Sequence, residues 1–168
     1  MHRTTAATVS TAFFAVGPGL VAVAGPWWVS RWQLHEPFPA WAMVPVRAVG
    51  ALLLAAGLVI LAQAFVRFVV EGFGTPIPAA PPDRLVVGGL YRYVRNPMYL
   101  GLFAAVIGQA MVFGNGWLLV YAAVMAVPVV LFVRLYEEPR LRRSFGADYE
   151  RYRAAVPGWW PRVRPYRP

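Results

Sequence analysis

Side chains able to bind or react are confined to two short blocks of this chain. The first is Asp83-Arg84-Leu85-Val86-Val87-Gly88-Gly89-Leu90-Tyr91-Arg92-Tyr93-Val94-Arg95-Asn96-Pro97-Met98-Tyr99-Leu100-Gly101. The second is Arg134-Leu135-Tyr136-Glu137-Glu138-Pro139. Glu137 and Glu138 are adjacent carboxylates just beyond 38 residues that hold no Asp, Glu, Lys or Arg. Such acids are costly if desolvated without partners. Arg134, three and four residues upstream, can pair with them on one helical turn. The bland reading is a solvated helix end with a local ion pair. Against it, two acids at a helix C-terminus have the wrong sign for the helix dipole. In the first block, Asn96 is a good N-cap and Pro97 a good first helical residue. The same helix start offers free N–H groups and a positive dipole end to an anionic ligand group. Arg95 can hold a carboxylate or phosphate. Tyr91 and Tyr99 can stack on a base or donate a hydroxyl. The bland alternative makes Arg95 and Tyr99 interface markers only.

Other chemistries lack their residues. The chain has 168 residues and no Cys, so disulfides and thiolate metal sites are excluded. His2 and His35 supply neither the number nor the spacing of a metal site, and no metal is expected. There is no P-loop, and Gly72-Phe73-Gly74 is a lone G-x-G at the end of a helix. All 16 basic residues are Arg, against seven acids, for a net charge of +9. With 59% hydrophobic and 14% charged residues, that charge is no nucleic-acid footprint. Aromatic content of 15% excludes disorder.

The elements that must position the two blocks follow from the gaps between charges. Arg3 to Arg31 leaves 27 uncharged residues, Arg47 to Arg67 leaves 19, and Arg95 to Arg134 leaves 38. A bilayer core needs roughly 20 apolar residues per helix. The first two gaps fit one span each. The third fits two, turning at Gly114-Asn115-Gly116. The expected fold is all-α: a single polytopic membrane domain over 1–168, with spans near 8–30, 45–70, 97–113 and 117–136. A helical tail, 137–168, follows and is expected to break at Gly146. Pro45 is expected in a helix's first turn, Pro128 should kink the fourth span, and Gly17-Pro18-Gly19 should bend the first. Trp27, Trp28, Trp32 and Trp41 flank the first loop as interfacial aromatics. A competing reading makes the first span a signal peptide cleaved after Ala22-Val23-Ala24, but Gly25-Pro26 would follow that site. Four Pro make Thr75–Pro82 a stiff, extended loop.

Orientation follows from the arginines. Residues 134–168 carry nine Arg against four acids, and Arg3, Arg84, Arg92 and Arg95 fall on the same side. The positive-inside rule puts both termini and the 71–95 loop in the cytoplasm of a protein integral to a bacterial cytoplasmic membrane. Because the third and fourth spans form a hairpin, both blocks return to that face and can converge at the mouth of the bundle. The Arg-rich tail with Trp159-Trp160 is expected to anchor on anionic lipid, or alternatively to form a lid.

These blocks resemble a known superfamily. Leu85-Val86 through Tyr91-Arg92-Tyr93-Val94-Arg95-Asn96-Pro97-Met98-Tyr99-Leu100-Gly101 is similar to the R-H-P-x-Y-x-G region of isoprenylcysteine carboxyl methyltransferases. Asn96-Pro97-Met98-Tyr99 is similar to the wording in phospholipid methyltransferases. Glu137-Glu138 resembles the paired acids of both, and Phe145-Gly146, Tyr149, Tyr152 and Val156-Pro157 resemble the tail that follows. The likeness covers about residues 72–160. It implies an integral membrane methyltransferase that uses S-adenosyl-L-methionine. By position it implies cofactor contacts from Leu85, Val86, Tyr91, Asn96, Pro97, Tyr99 and Glu137. Catalytic or substrate roles would fall to Arg95, Arg134 and Glu138. Asn96 stands where many members have His, so no titrating base is available there. Asp83 replaces a residue that is His in some relatives.

The resemblance implies methyl transfer to a lipid-like or prenylated acceptor bearing a carboxylate, amine or thiol. Expected partners are that acceptor and membrane lipids, not nucleic acid. The enzyme's work would be to align donor and acceptor in a dry pocket. Two rivals are an NADPH-dependent membrane reductase of the sterol-reductase type and a non-catalytic membrane scaffold.

Overall fold

The structure is a computed structural model and describes residues 17–72 and 84–167. Expectations for His2, Arg3, residues 8–16, the Phe73-Gly74 motif, the Thr75–Pro82 loop and Asp83 lie outside the described residues. Among those described, every regular element is helical. A π-helical turn, Leu20–Ala24, leads into α1 (Gly25–Ser30); α2 is Ala40–Gly72. A 3₁₀ turn, Gly89–Arg92, precedes α3 (Pro97–Phe113) and α4 (Trp117–Phe132). A second π-helical turn, Val133–Glu137, joins α4 to α5 (Glu138–Ala155) without a break.

Two helical runs are long and apolar enough to cross a membrane: Ala40–Arg67 and Trp117–Ala155. Pro97–Phe113 is apolar but has only 17 residues, about 25 Å at 1.5 Å per residue. The 39-residue run from Trp117 is about twice as long as a bilayer core requires. Its uncharged part ends at Val133, and Arg134, Glu137, Glu138 and Arg140 lie beyond.

Several local expectations are corrected. Pro45 sits inside α2 rather than in its first turn, because the helix already begins at Ala40. Gly114 ends α3 in the left-handed conformation expected of turn chemistry, with φ of 63°. Gly146 breaks the tail helix, as expected: it is non-helical at φ 50°, ψ −122°, and a second helical stretch follows to Ala155. Pro128 lies inside α4, as expected, and an irregular turn follows it at Val133–Glu137. Glu137 and Glu138 therefore lie within a continuous helix, not at a C-terminus, and the dipole argument loses its basis. In the first segment the irregularity is the π-turn ahead of Pro26, a residue with no N–H to return. Side chains answer nearby carbonyls: Gln109 Nε2 donates to the Ala22 oxygen at 2.7 Å and the Tyr121 hydroxyl to the Val21 oxygen at 3.0 Å.

The bundle is organised around α2 against α3, its most extensive helix interface. Small residues let the two backbones approach. A Cβ at Gly57 would lie 2.6 Å from the Ala105 nitrogen, and one at Gly108 would lie 2.5 Å from the Leu54 nitrogen. This is the packing expected where dispersion rather than water exclusion holds helices together. The two ends of the bundle differ. At one end the His35 N–H donates to the Phe113 oxygen at 2.8 Å, Trp32 stacks on Phe113, and Arg47 Nη2 donates to the His35 oxygen. At the other end, the first block meets the π-turn and the chain beyond it.

Candidate active site

The first block is shaped by burial as much as by its turns. Val86 and Tyr91 are buried against Ala64 of α2, with Met98 packed on them. Gly89, at φ 56°, lets the chain turn tightly at the start of the 3₁₀ segment. Asn96 occupies the N-cap position of α3 but makes no side-chain cap; its Nδ2 donates instead to the Gly158 oxygen at 3.0 Å. Its expected structural role is thus replaced by a tie to the tail.

The second block is shaped by its π-turn. One extra residue in a helix rotates everything after it by about 100° relative to an unbroken helix. Pro139, which has no N–H to return to the Leu135 oxygen, follows directly, and a widened turn here loses little hydrogen bonding. The consequence is that Glu137 and Glu138 both meet the first block. The Tyr99 hydroxyl donates to Glu137 Oε2 at 3.3 Å. Arg95 Nη1 donates to Glu138 Oε1 at 2.6 Å and to the Tyr149 hydroxyl at 3.0 Å, and Arg95 Nε donates to the Val156 oxygen. Glu138 Oε2 lies 3.7 Å from Arg153 Nε. The side chains of Arg95 and Glu138 are only 14% and 18% exposed, so this pair is largely shielded from water.

Burial pushes the Glu137 carboxyl up to about 7. The Tyr99 hydrogen bond opposes that rise, Glu138 adds to it, and Arg95 opposes it more weakly. Burial likewise pushes the Tyr149 hydroxyl up, with Glu138 adding to the rise, so it stays protonated beside Arg95.

These groups line one cavity of about 330 Å³. Leu85, Val86, Tyr91, Arg95, Asn96, Pro97, Tyr99, Glu137 and Glu138 all line it. Its far wall is apolar: Val21, Leu61, Leu102, Val129, Phe132 and Val133. Arg134 is the exception. It is exposed, makes no pair with Glu137 or Glu138, and lines a neighbouring cleft instead. The expected local ion pair fails because Glu138 is already held by Arg95 and Arg153.

Sequence reasoning missed Tyr149, Tyr152 and Arg153 as parts of the site. Their signal was the Tyr149-x-x-Tyr152-Arg153 spacing, which sets both tyrosines on one face of α5. The tyrosines are buried with Val156, and the Tyr152 hydroxyl donates to the Tyr91 oxygen at 2.7 Å. The tail then runs along the first block. The Arg95 N–H donates to the Pro157 oxygen, the Arg162 N–H to the Tyr93 oxygen, and the Tyr166 N–H to the Arg92 oxygen. Trp159 packs at a tilt on Tyr99 with ring centroids 6.3 Å apart. Most of the tail's polar contacts are thus made to the site, while Trp160 and Val163 remain exposed.

Comparison with known proteins identifies the family. Residues 46–148 match the family model for phospholipid methyltransferase. The chain belongs to the phospholipid methyltransferase family. Among curated proteins it is 34% identical over 84 residues to a protein-S-isoprenylcysteine O-methyltransferase of Schizosaccharomyces pombe. That match covers 47% of this chain and 34% of the relative. It is 32% identical over 71 residues to a phosphatidylethanolamine N-methyltransferase of the same yeast, covering 42% of this chain and 8% of the relative. The chain therefore spans about a third of one relative and less than a tenth of the other. No solved structure matches. Both relatives are named as methyltransferases, and neither is a reductase. The residues matched to the phospholipid methyltransferase family include both the Asn96-Pro97-Met98-Tyr99 and the Glu137-Glu138 elements, which here line one cavity.

Proposed function

We propose that this chain transfers a methyl group from S-adenosyl-L-methionine to a lipid-like acceptor at the membrane face that holds the first block and the tail. The observation that carries this reading is Glu137. Its carboxylate borders the cavity with a tyrosine hydroxyl as neighbour and, among the described residues, no ion-pairing cation. A buried acid so placed retains acceptor capacity for a ligand ammonium. The cavity volume falls within the range of small-molecule sites, and one polar wall facing an apolar one suits a polar donor meeting a hydrophobic acceptor. The residues present fit the donor.

S-adenosyl-L-methionine supplies an electrophilic methyl on a sulfonium. The chain's residues supply binding and alignment. Glu137 and Tyr99 hold the polar end of the donor. Asn96, Pro97, Leu85, Val86 and Tyr91 form the wall against which it lies. Arg95 fixes Glu138, and through Tyr149 and the Val156 oxygen it fixes the tail that covers the first block. The apolar wall excludes water and admits the acceptor's hydrocarbon from the bilayer. For a carboxylate acceptor no base is needed, since the nucleophile is already anionic. For an amine or thiol, Glu138 of the same wall takes the proton.

Both termini are placed in the cytoplasm by the same reading, supported by the excess of Arg beside the site. The test is binding of S-adenosylhomocysteine to the detergent-purified protein. Glu137→Ala is expected to weaken it by about tenfold or more, the worth of a charge-assisted hydrogen bond. Unchanged affinity in a folded variant overturns the assignment, and no binding by the parent favours a scaffold.

A further inference from the structure

The amino-acid end of the methyl donor carries two charges on one carbon, an ammonium and a carboxylate. Glu137 answers the ammonium, and the carboxylate has no partner in that reading. We propose that Arg140 binds the donor's carboxylate, so that Glu137 and Arg140 hold the zwitterion from one helix face. The inference rests on the methyl-donor reading and adds the residue that selects a donor with its carboxylate intact.

Availability is the first argument. Among the described residues, two cationic side chains line the cavity, Arg95 and Arg140. Arg95 is committed elsewhere. Its Nη1 donates to Glu138 Oε1 and to the Tyr149 hydroxyl, and its Nε donates to the Val156 oxygen. Arg140 is partly buried, and its Nη1 donates to the Tyr136 hydroxyl at 2.6 Å. Its guanidinium carbon lies 5.8 Å from the centre of the Tyr136 ring. These contacts steady the side chain without using up its fork of five N–H donors. Among the described residues no acid is in ion-pair contact with Arg140. A planar fork with free donors matches a carboxylate.

Register is the second argument. Glu137, Arg140, Leu141 and Ser144 all line the cavity. Steps of three, four and seven residues set them on one helix face. Glu137 and Arg140 are neighbours on that face, with Cβ atoms about 5–6 Å apart at such a spacing. An acid three residues before a base ordinarily forms an ion pair. Here the two do not pair. The Glu137 carboxylate accepts the Tyr99 hydroxyl at 3.3 Å, while Arg140 turns to Tyr136 one turn back on its own helix. Two opposite charges, side by side on a cavity wall and each without a counter-charge, are the complement of a zwitterion. Without Arg140, a carboxylate entering beside Glu137 would be desolvated next to a like charge.

The experiment measures binding of S-adenosylhomocysteine and of its decarboxylated form, which keeps the ammonium, to the full chain in neutral detergent. The parent is expected to bind the intact ligand about tenfold or more the tighter, the worth of a charge-assisted hydrogen bond. Arg140→Gln is expected to weaken the intact ligand by about that factor. Its affinity for the decarboxylated ligand is expected to stay within about twofold of the parent's, which also shows that the variant is folded. Arg140→Lys is expected to keep part of the preference, because it retains the charge and loses the fork. Arg143→Gln makes the same charge change at an exposed position outside the cavity's lining and is expected to match the parent with both ligands. No preference in the parent, or a full preference in Arg140→Gln, overturns the assignment. Equal losses for both ligands in both Arg140 variants, or equal losses in Arg140→Gln and Arg143→Gln, overturn it as well. In each of these outcomes the donor site itself still stands. Failure of the parent to bind either ligand defeats the donor reading, and the Arg140 assignment falls with it.

Discussion

At the residue scale the site is a contest between burial and pairing, and the two acids fall on opposite sides of it. Glu138 is held by Arg95 and Arg153, whereas Glu137 has a hydroxyl beside it and a carboxyl raised to about 7. A ligand ammonium at Glu137 favours the ionised form. Affinity for S-adenosylhomocysteine should therefore rise as pH increases toward about 7 and level off above it. Glu137→Gln should be weak and flat over the same range, and calorimetric titrations at several pH values check both. The sign for stability is the reverse. The folded, ligand-free protein binds the proton more tightly than the unfolded chain, so this contribution is full at low pH and is lost as pH rises to about 7. Arg95 has a different task. It serves Glu138, Tyr149 and the Val156 oxygen at once. Arg95→Met leaves a shielded acid short of a partner and should cost about 3 kcal/mol or more, seen as a lower Tm in detergent. Arg95→Lys should recover only part, because one ammonium cannot reproduce the fork.

At the element scale, the α2–α3 interface rests on close backbone approach. Gly108→Ala puts a Cβ 2.5 Å from the Leu54 nitrogen, where only backbone can yield. It should destabilise by about 1–3 kcal/mol. Gly116→Ala meets nothing within 4 Å and has ordinary helical φ, so its Tm should match the parent's. The elements were legible in the sequence where charge spacing and turn chemistry governed them. The gap from Arg95 to Arg134 and the Gly114-Asn115-Gly116 turn marked the α3–α4 hairpin. The π-turn at Val133–Glu137 was not legible, because it depends on which carbonyls find partners around Pro139, and uncharged spacing is silent on that. The same limit explains Arg134. Its spacing to Glu138 was read correctly, but the competitors, Arg95 and Arg153, come from segments 39 residues before and 19 residues after it. The tail's docking was hidden for a related reason: arginine and tryptophan content does not reveal its backbone hydrogen bonds to Arg92, Tyr93 and Arg95.

At the scale of the whole molecule, the two ends of the bundle are chemically unlike. One end gathers Trp32, His35, Arg47 and the Gly114–Gly116 turn; the other gathers the first block, Glu137, Glu138 and the Arg-rich tail. Residues 134–168 hold nine Arg against four acids, whereas the 31–47 loop has Arg31 and Arg47 against Glu36. Arginine within reach of a membrane face is retained on the cytoplasmic side during insertion. A polar donor made in the cytoplasm would also have to reach the cavity from there. On the proposed orientation the tail lies inside and the 31–39 loop outside. The chain contains no Cys, so a single introduced thiol reports without background. Gln33→Cys and Ala154→Cys both fall at exposed positions, one at each end. In intact cells a membrane-impermeant maleimide should label Gln33→Cys and leave Ala154→Cys unmodified until the membrane is opened. The opposite pattern would put the Glu137 cavity outside, away from the donor, and would defeat the orientation and the cytoplasmic methyl-transfer reading together. Labelling of both positions in intact cells would mean that the two ends do not lie on opposite faces, and the hairpin reading of α3 and α4 as paired spans would fail with it.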